Sequence, residues 1–402
     1  MSAPSHEIPF HRPAIGEAER AAVLEVLESG WLTTGERTLR FEAAFRERLG
    51  VRHAVAVNSA TAALHLALEG LGIGPDDEVI VPTYTFASSG ETVRYLGARP
   101  RLADVDPVTC NVTRATIEAQ LRPTTKAVQV VHIGGLVADM GPILELAERH
   151  GLAVIEDAAH ALPATSAGRH AGTWGAAGAF SFYATKTVTT GEGGMLVTES
   201  DELADRARTM RLHGISRDAW KRYTAEGSWF YEIEDAGFKY NLTDLAAAIG
   251  IVQLGRADEL RLARERIAAL YDERLRELGL EELVELPPRP AGGDVHAWHL
   301  YMLRLRDGGA GDGAGHGGAS DPVARRAQLI EALKADGIGT SVHFIPLHLH
   351  PYYRRTYGYA PGDLPVAERQ YGREISLPIY PDLLDEDVDR VARSLNRALT
   401  GR

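Results

Sequence analysis

A lysine follows a short apolar run and is itself followed by a glycine-rich turn. The segment is SFYATKTVTTGEGGM, residues 181–195, and the lysine is Lys186. A lysine just beyond the carboxyl end of a strand lies where open α/β sheets bind their ligands. A partly desolvated lysine is also the side chain that forms Schiff bases with carbonyl compounds. A solvated surface lysine is the ordinary alternative, but the small and apolar neighbours on both sides of Lys186 count against it.

A second candidate is Asp157, which ends the apolar run of LAVIEDAAHALPA, residues 152–164. A carboxylate at the end of a buried strand needs solvent, a hydrogen bond or a cation, because an isolated buried charge is costly. One suitable partner is the ring nitrogen of a pyridine cofactor, which an aspartate keeps protonated so that the ring acts as an electron sink. The pattern alone fits a helix N-cap equally well.

The third candidate is a polar turn between a strand and an alanine-rich helix in VAVNSATAALHLAL, residues 55–68. Backbone N–H groups at such a helix start, together with the hydroxyls of Ser59 and Thr61, can cradle a phosphate. Ser and Thr also serve simply as helix caps, so this signal is weak by itself. The chain has neither G-x-G-x-x-G nor G-x-x-x-x-G-K-[ST], so the dinucleotide and P-loop readings lack their fingerprints.

These residues need a sheet to bring them together, and the sequence predicts one. Short β-rich runs alternate with amphipathic stretches between about residues 50 and 200, which is typical of a mostly parallel sheet covered by helices. Helices are expected at 61–70 and at 140–150, the second ending at Gly151, and a buried helix at 242–254. Seven strands are expected, at residues 54–58, 78–81, 101–103, 127–132, 153–156, 179–183 and 194–198.

A second, smaller α+β domain is expected from residue 256 to 402, after a large domain at 1–255 that begins with an N-terminal arm, residues 1–30. Its predicted elements are a long helix at 256–278, strands at 299–305 and 340–344, and helices at 322–336 and 385–399. The run GGAGDGAGHGG, residues 308–318, is too rich in glycine to fold alone and is expected to be a flexible loop.

Composition excludes several classes of function. The formal net charge of −12 and the lack of a dense basic stripe argue against a nucleic-acid or anionic-membrane partner. The single cysteine, Cys110, excludes an internal disulfide framework and a multi-cysteine metal site. No apolar stretch approaches the ~20 residues of a membrane span, and no signal core is visible, so we expect a cytoplasmic protein.

The phosphate turn, the aspartate and the lysine occur in one order, and together they describe a site for pyridoxal 5′-phosphate (PLP). The chain resembles the sugar aminotransferases of the DegT/DnrJ/EryC1/StrS group, which are PLP enzymes of fold type I. The resemblance runs from about Phe10 to Leu399. It is carried by SGWLTTG (29–35), VPTYTFASS (81–89), VHIGGLVADM (131–140), EDAAHA (156–161), SFYATKTVTTGEGGM (181–195), KYNLTDLAAAIGIVQL (239–254) and VHFIPLHLHPYY (342–353).

The resemblance implies a role for each matching position. Lys186 would hold the cofactor covalently and move protons, and Asp157 would pair with the ring nitrogen. Phe86 would lie against the ring face and His160 would contact the ring or its hydroxyl. The phosphate would be held by Ser59, Ala60, Thr61, Ser181 and, from the neighbouring subunit, Asn241, which makes the active unit at least a dimer.

Three further residues are candidates for binding the substrate: His213, Lys239 and His343. Arg211 lies near the same motifs, and for it, as for Lys239 and His213, surface charge or capping is an equally good explanation. His343 belongs to a His-rich segment with His348 and His350, but a metal is not expected there because the family has such a segment near its site without one. His296 and His299 are expected to be packing residues on a strand edge.

The resemblance implies transamination, since relatives that are dehydratases carry histidine where this chain has Lys186. The expected donor is L-glutamate, which would leave the cofactor as pyridoxamine 5′-phosphate (PMP). The expected acceptor is the C4 keto group of a nucleotide-diphosphate 4-keto-6-deoxyhexose, and the expected nucleotide is dTDP. Two alternatives stay open: amination at C3, and a regulatory protein that binds PLP without turnover.

Overall fold

The computed structural model describes residues 6–215, 231–307 and 321–401. The predicted glycine-rich loop at 308–318 and residues 216–220 of the motif LHGISRDAW lie outside these ranges. The strands in the described part are β1 (His53–Val57), β2 (Glu78–Pro82), β3 (Arg99–Ala103), β4 (Thr125–Val131), β5 (Ala153–Asp157), β6 (Thr165–Ser166), β7 (Arg169–His170), β8 (Ala177–Ser181), β9 (Gly194–Thr198), β10 (Val284–Glu285), β11 (Tyr301–Leu305) and β12 (Glu374–Leu377).

The helices surround two sheets. They are α1 (Glu17–Ser29), α2 (Glu36–Leu49), α3 (Ala60–Gly70), α4 (Ala87–Tyr95), α5 (Arg114–Glu118), α6 (Met140–His150), α7 (Asp201–Met210), α8 (Asp244–Gly255), α9 (Ala257–Glu277), α10 (Pro322–Ala335), α11 (Pro351–Tyr357), α12 (Pro365–Arg373) and α13 (Asp385–Thr400). Several ends have a clear local cause: Ser59 and Thr243 accept hydrogen bonds from the first turns of α3 and α8, and α6 ends at Gly151 with a φ of 63°.

The large sheet contains all seven predicted strands, in the order β1-β9-β8-β5-β4-β2-β3. Neighbours pair in parallel except β9, which is antiparallel to both β1 and β8. The carboxyl ends of the other six strands therefore share one edge, and chain reversals after them bring distant residues to that edge. This is the fold-type-I architecture that the motifs predict.

Helices bury both faces of the large sheet, and alternate side chains of each strand point to opposite faces. Val55 and Val79 pack with α3, α4 and α7 on one face. Ala56 faces α2 and α8 on the other side, and Ile80 packs there with α6. A sheet covered on both faces can present polar groups only at its ends, which is where the candidate residues lie.

The C-terminal part is built on an antiparallel sheet of order β10-β11-β12, with α9, α10 and α13 contributing to its core. The N-terminal segment joins this part, since Ile8 bridges Ile338 and is buried. The predicted strand at 340–344 is wrong: only Ser341 forms an isolated bridge there, with Ser376, and the chain turns away toward the large sheet. Within the described ranges, no helix is both long and apolar enough to cross a membrane.

Candidate active site

A cavity of about 640 Å³ opens at the carboxyl edge of the large sheet. That volume falls within the range of small-molecule sites, about 300–1,000 Å³. Its walls come from the strand ends, from the N-terminal arm at Phe10 and His11, and from the C-terminal part at His299 and His343. Exposed aromatic rings stand at its margin, with Phe86 at 61% and Tyr183 at 47% exposure. The cavity is thus a cleft between the two sheets that residues far apart in sequence enclose.

Lys186 lies five positions beyond the end of β8, in the turn that leads to β9, and lines this cavity. Its backbone N–H donates to Tyr183 O at 2.9 Å, which holds the turn. Its Nζ lies 3.4 Å from Nε2 of His299. Burial lowers the pKa of the Lys186 ammonium to about 8, although Asp157 opposes this effect. The ammonium form still predominates near physiological pH, but a minor neutral fraction of Lys186, much larger than for a solvated lysine, is available as a nucleophile or base.

Asp157 is the last residue of β5 and is 5% exposed. Its Oδ2 accepts a hydrogen bond from Ser89 Oγ at 2.9 Å, and its Oδ1 accepts one from Ala159 N at 3.1 Å. Burial raises the pKa of the Asp157 carboxyl, while these two hydrogen bonds and the charge of Lys186 pull it down. Asp157 lines the cavity, and its ionised form is destabilised by burial unless a cationic ligand binds beside it.

The turn between β1 and α3 forms another part of the cavity wall, through Ser59, Ala60 and Thr61. The Ser59 hydroxyl is used as an N-cap, accepting from Ala62 N at 3.1 Å. Helix geometry leaves the N–H groups of Ala60 and Thr61 without an intrahelical acceptor, so they are available to an anion. Gly194 packs directly against this turn: a β carbon there would lie 2.4 Å from Ser59 C and 2.6 Å from Ala60 N.

Histidine rings make up much of the remaining wall. His160 and His299 contact each other with ring centroids 4.4 Å apart, and His160 stacks on Phe344 at 5.8 Å. Burial lowers the pKa of both histidines well below the usual range, so both rings are neutral. His343 stacks on Phe10 at 5.5 Å, and burial lowers its pKa to about 4. These three rings therefore add a neutral aromatic surface to the cavity wall beside Lys186 and Asp157.

The residues present fit a PLP molecule on three separate counts. A nucleophilic lysine, a carboxylate without a bonded cation and a helix start with available N–H groups line one cavity. The close approach of Gly194 to the Ser59–Ala60 backbone shows that the helix start is fixed in place. A flat ring would also find the aromatic neighbours it needs in Phe86 and His160.

The predicted site residues divide into two groups. Those that line the cavity are Ser59, Ala60, Thr61, Phe86, Asp157, His160, Ser181, Lys186 and His343. Asn241, Lys239 and His213 lie outside it. Lys239 Nζ donates to Asn241 Oδ1 at 2.6 Å, and Asn241 Nδ2 donates to Thr34 Oγ1 at 2.7 Å. His213 N donates to Phe238 O at 2.7 Å and Leu212 bridges Lys239, so these three belong to one ribbon that lies outside the cavity of their own chain.

Arg211 does not reach the cavity either. Its guanidinium is buried and donates to Glu42 Oε1 at 2.5 Å and to Ala56 O at 2.7 Å, so its role is to join α2, β1 and α7. His348 is also structural, since it bridges Thr83 Oγ1 and Glu368 Oε1 at 2.8 and 2.9 Å. Among the described residues, no three His, Cys, Asp or Glu side chains are grouped as a metal site requires.

The expectation that His299 is a packing residue on a strand edge is wrong. Strand β11 begins at Tyr301, and the residue before His299, Trp298, has a φ of 50° that turns the chain toward the cavity. Arg264 on α9 holds this turn by donating to the carbonyls of Trp298 and Ile379 at 3.3 and 2.8 Å. A left-handed non-glycine residue is not visible in a residue pattern, so no sequence signal could have placed His299 in the site.

Sequence reasoning also missed Ser89, although its motif VPTYTFASS was noted. The signal that could have found it is the turn from β2 into α4, which returns Ser89 to the strand edge beside Asp157. Phe10 and His11 were missed because they reach the cavity from the N-terminal arm, which packs through Ile8 against the C-terminal part.

The fold and this site define the class of protein: a PLP-dependent aminotransferase of fold type I. Comparisons with solved structures agree. TlmJ, an aminotransferase from Streptoalloteichus hindustanus, matches with a TM-score of 0.87 at 36% identity, over 98% of this chain and 99% of TlmJ. Spr1654 from Streptococcus pneumoniae, a candidate sugar aminotransferase, has been solved in PLP and PMP forms. Its PLP form matches this chain with a TM-score of 0.88 at 29% identity, over 98% of this chain and 99% of that chain.

The match is equally complete in sequence. The spore coat polysaccharide biosynthesis protein SpsC of Bacillus subtilis (strain 168) is 46% identical over 399 residues, which are 99% of this chain and 98% of SpsC. The model of the DegT/DnrJ/EryC1/StrS aminotransferase family matches residues 13–396. The chain belongs to this family and is a sugar aminotransferase that uses PLP.

Proposed function

We propose that the protein transfers the amino group of L-glutamate to the C4 keto carbon of a nucleotide-diphosphate 4-keto-6-deoxyhexose, the dTDP sugar being the first candidate. The observation that carries the proposal is the cavity shared by Lys186, Asp157 and the helix start at Ala60. The motifs at 131–140 and 239–254 resemble the branch that aminates C4. The similarity to SpsC, a polysaccharide biosynthesis protein, supports an amino-sugar product. The cytoplasmic location expected from the sequence stays a prediction.

The predicted site residues that line the cavity have separate tasks in this proposal. When bound, PLP supplies an electron sink for the carbon that gains or loses its amino group. Lys186 holds the cofactor covalently at rest and then moves a proton at its Nζ, for which a pKa near 8 suits it. Asp157 holds the proton on the ring nitrogen, and Ser59, Ala60, Thr61 and Ser181 bind the phosphate. Phe86 and His160 pack on the ring, and His343 meets the sugar.

We also propose a homodimer in which the ribbon at 238–241 serves the partner's site. Asn241 and Lys239 bond to each other and lie outside the cavity of their own chain, as expected of groups that act across an interface. The apolar surface of the neighbouring elements supports this. Helices α1 and α2 pack on α8, yet Leu24, Leu27, Leu32 and Leu39 in and between them are 45–57% exposed. Such a patch is typical of an interface.

The experiment follows the absorption of the bound cofactor in the purified protein. We expect a band that requires Lys186, disappears on addition of L-glutamate and returns with the dTDP-linked 4-keto-6-deoxyhexose. Lys186→Ala should abolish the band, and the exposed Lys126→Ala serves as the matched control. NMR of the product decides the regiochemistry, since an amine on C3 supports the first alternative. Binding of PLP without any change on addition of substrates supports the regulatory alternative.

A further inference from the structure

Three polar groups form a chain from the interior of the C-terminal sheet to the cavity wall. Ser376 Oγ lies 2.5 Å from Glu374 Oε1 and 2.8 Å from Nδ1 of His343. The other carboxyl oxygen of Glu374 accepts a hydrogen bond from the backbone N–H of His343 at 2.9 Å. Glu374 and Ser376 are completely buried, whereas His343 lines the cavity.

The position of Glu374 is costly and therefore calls for an explanation. Glutamate is almost never fully buried unless it is paired. Among the described residues, no arginine, lysine or histidine side-chain nitrogen forms an ion pair within 4 Å of Glu374. The two arginines whose charges act on Glu374 donate to carbonyls instead: Arg304 donates to Val108 O at 2.8 Å and Arg326 donates to Tyr371 O. The bonds of Glu374 go instead to Ser376 and His343.

We propose that Glu374 and Ser376 are positioning residues that decide which ring nitrogen of His343 carries the proton, and so whether Nε2 donates or accepts a hydrogen bond at the sugar oxygens. The inference rests on the proposed function for the identity of the ligand. The proton arrangement itself follows from the three groups alone and does not depend on the proposed function.

The donor capacity of each group limits how the protons can be arranged. A serine hydroxyl donates one hydrogen bond, and a neutral imidazole carries one N–H. An ionised Glu374 can only accept, so Ser376 donates to it and accepts from His343 Nδ1–H, which leaves Nε2 as an acceptor. A protonated Glu374 donates to Ser376, which then donates to Nδ1, so that Nε2 carries the hydrogen and is a donor.

Ionisation therefore releases a proton at the cavity end of the chain. The Glu374 proton passes to Ser376 Oγ, the Ser376 proton passes to Nδ1, and the proton on Nε2 leaves to solvent or to a ligand. One proton is lost in total and the imidazole stays neutral. Burial lowers the pKa of His343 to about 4, so the ring is neutral over the whole range in which Glu374 titrates.

The groups around the chain set the pH at which this change occurs. Burial raises the pKa of Glu374 to about 8, although the positive charges of Arg304 on β11 and Arg326 on α10 favour the ionised carboxylate and lower this pKa. Burial also raises the pKa of Tyr84, and that of Cys110 to about 11, so both stay neutral. Arg373, the last residue of α12 and the neighbour of Glu374 in sequence, is paired with Glu285. On the cavity side, His343 meets Lys186, His160 and His299, and the two histidines are neutral.

The test reads the tautomer of His343 directly. Long-range ¹⁵N–¹H NMR spectra of the full-length protein with ¹⁵N-labelled histidine are recorded at pH 6.5 and pH 9.5, and His343→Gln identifies the signals. We expect the proton of His343 on Nε2 at the lower pH and on Nδ1 at the higher pH. In Glu374→Gln the amide oxygen would accept from the backbone N–H of His343, so the NH2 group would donate to Ser376 as the protonated acid does, and the proton should stay on Nε2 at both values. One tautomer at both pH values in the native protein, or an unchanged switch in Glu374→Gln, overturns the proposal.

A second variant guards against a general effect of substitution. Ser376→Ala breaks the chain and should remove the dependence of the tautomer on pH. Ser394→Ala removes a hydroxyl that is equally buried but bonds to Asp336 on the far side of the C-terminal part, and it should leave the switch intact. If Glu374→Gln does not fold, Ser376→Ala alone decides. If Ser394→Ala also loses the pH dependence of the His343 tautomer, the effect is not specific to the hydrogen bonds of Glu374, Ser376 and His343, and the proposal is contradicted.

Kinetics then links the switch to the ligand. The KM for the keto sugar should change about tenfold between pH 7 and pH 9, as expected for one hydrogen bond that reverses its polarity, and Glu374→Gln should abolish this change. The KM for the amino donor should show no such difference between native protein and variant. If the sugar is not a substrate, the proposed function is wrong, but the NMR result still tests whether Glu374 and Ser376 set the tautomer of His343.

Discussion

Lys186 Nζ lies 3.4 Å from Nε2 of His299, and the His299 ring contacts His160 at a centroid distance of 4.4 Å. The lysine therefore has a neutral imidazole beside it that is fixed from behind. A neutral Nε2 can accept a hydrogen bond from the Lys186 ammonium, which favours the charged form and opposes the effect of burial. Burial lowers the pKa of Lys186 to about 8, although the charge of Asp157 opposes this effect.

His299→Phe should lower the pKa of Lys186, because the ring stays in place and the acceptor nitrogen is lost. The pH dependence of the rate at which the PLP-free protein binds PLP measures that pKa, since only neutral Lys186 attacks the aldehyde. We expect the rate to reach its plateau at a lower pH than in the native protein. His170→Phe, at a half-buried histidine outside the cavity, should change nothing. An unshifted profile in His299→Phe contradicts the role of this contact.

Ser89→Ala should move the acidic limb of the pH–rate profile to higher pH. Burial raises the pKa of Asp157, and the Ser89 hydrogen bond at 2.9 Å partly reverses this by favouring the charged form. Without it the carboxyl takes up its proton at a higher pH, by about 1 unit for one hydrogen bond to a charged group. Asp157→Asn should lower kcat by about 100-fold or more and lose this limb. A profile of Ser89→Ala that superimposes on that of the native protein refutes the argument.

Gly194→Ala should weaken PLP binding without unfolding the protein. A β carbon at this position would lie 2.4 Å from the backbone of Ser59, so the phosphate turn must move. Overpacking of this kind costs about 1–3 kcal/mol, which corresponds to roughly a fivefold to hundredfold rise in the Kd for PLP if it falls on the turn. Gly74→Ala is the matched control, because nothing lies within 4 Å of its β carbon. Equal Kd values for the two variants would show that the turn does not depend on Gly194.

The sequence predicted the large sheet well because its strands are local features. Each is a short apolar run, and covering helices on both faces keep such runs apolar throughout. The positions of Lys186 and Asp157 could be predicted for a related reason: Asp157 ends one such run and Lys186 lies shortly after another, so the strands alone place them at the edge of the sheet. The helix start at Ala60 has the same origin, in a strand, a polar turn and an apolar helix that are consecutive in sequence.

The contacts that were missed join segments distant in sequence. His299 enters the cavity because Trp298 adopts a left-handed conformation that Arg264 holds from another helix. Glu374 and His343 are 31 residues apart and meet only because the segment at 340–344 leaves the sheet instead of extending it. Neither event has a periodic pattern. Packing between the two sheets decides both, and a single sequence does not reveal that packing.

The partner's share of the site can be tested by mixing two inactive variants. Lys186→Ala removes the lysine from one chain, and Asn241→Ala removes the amide that we propose to reach the other. If Asn241 acts across the interface, a mixed dimer has one site with both defects and one site that is intact. Random exchange of equal amounts makes half of the dimers mixed, so about a quarter of the native activity should return. If Asn241 acts within its own chain, every site in the mixture carries one defect and the activity stays at that of the separate variants. Mixing Lys186→Ala with Asp157→Asn, two defects on the same chain's cavity wall, is the control and should restore no activity.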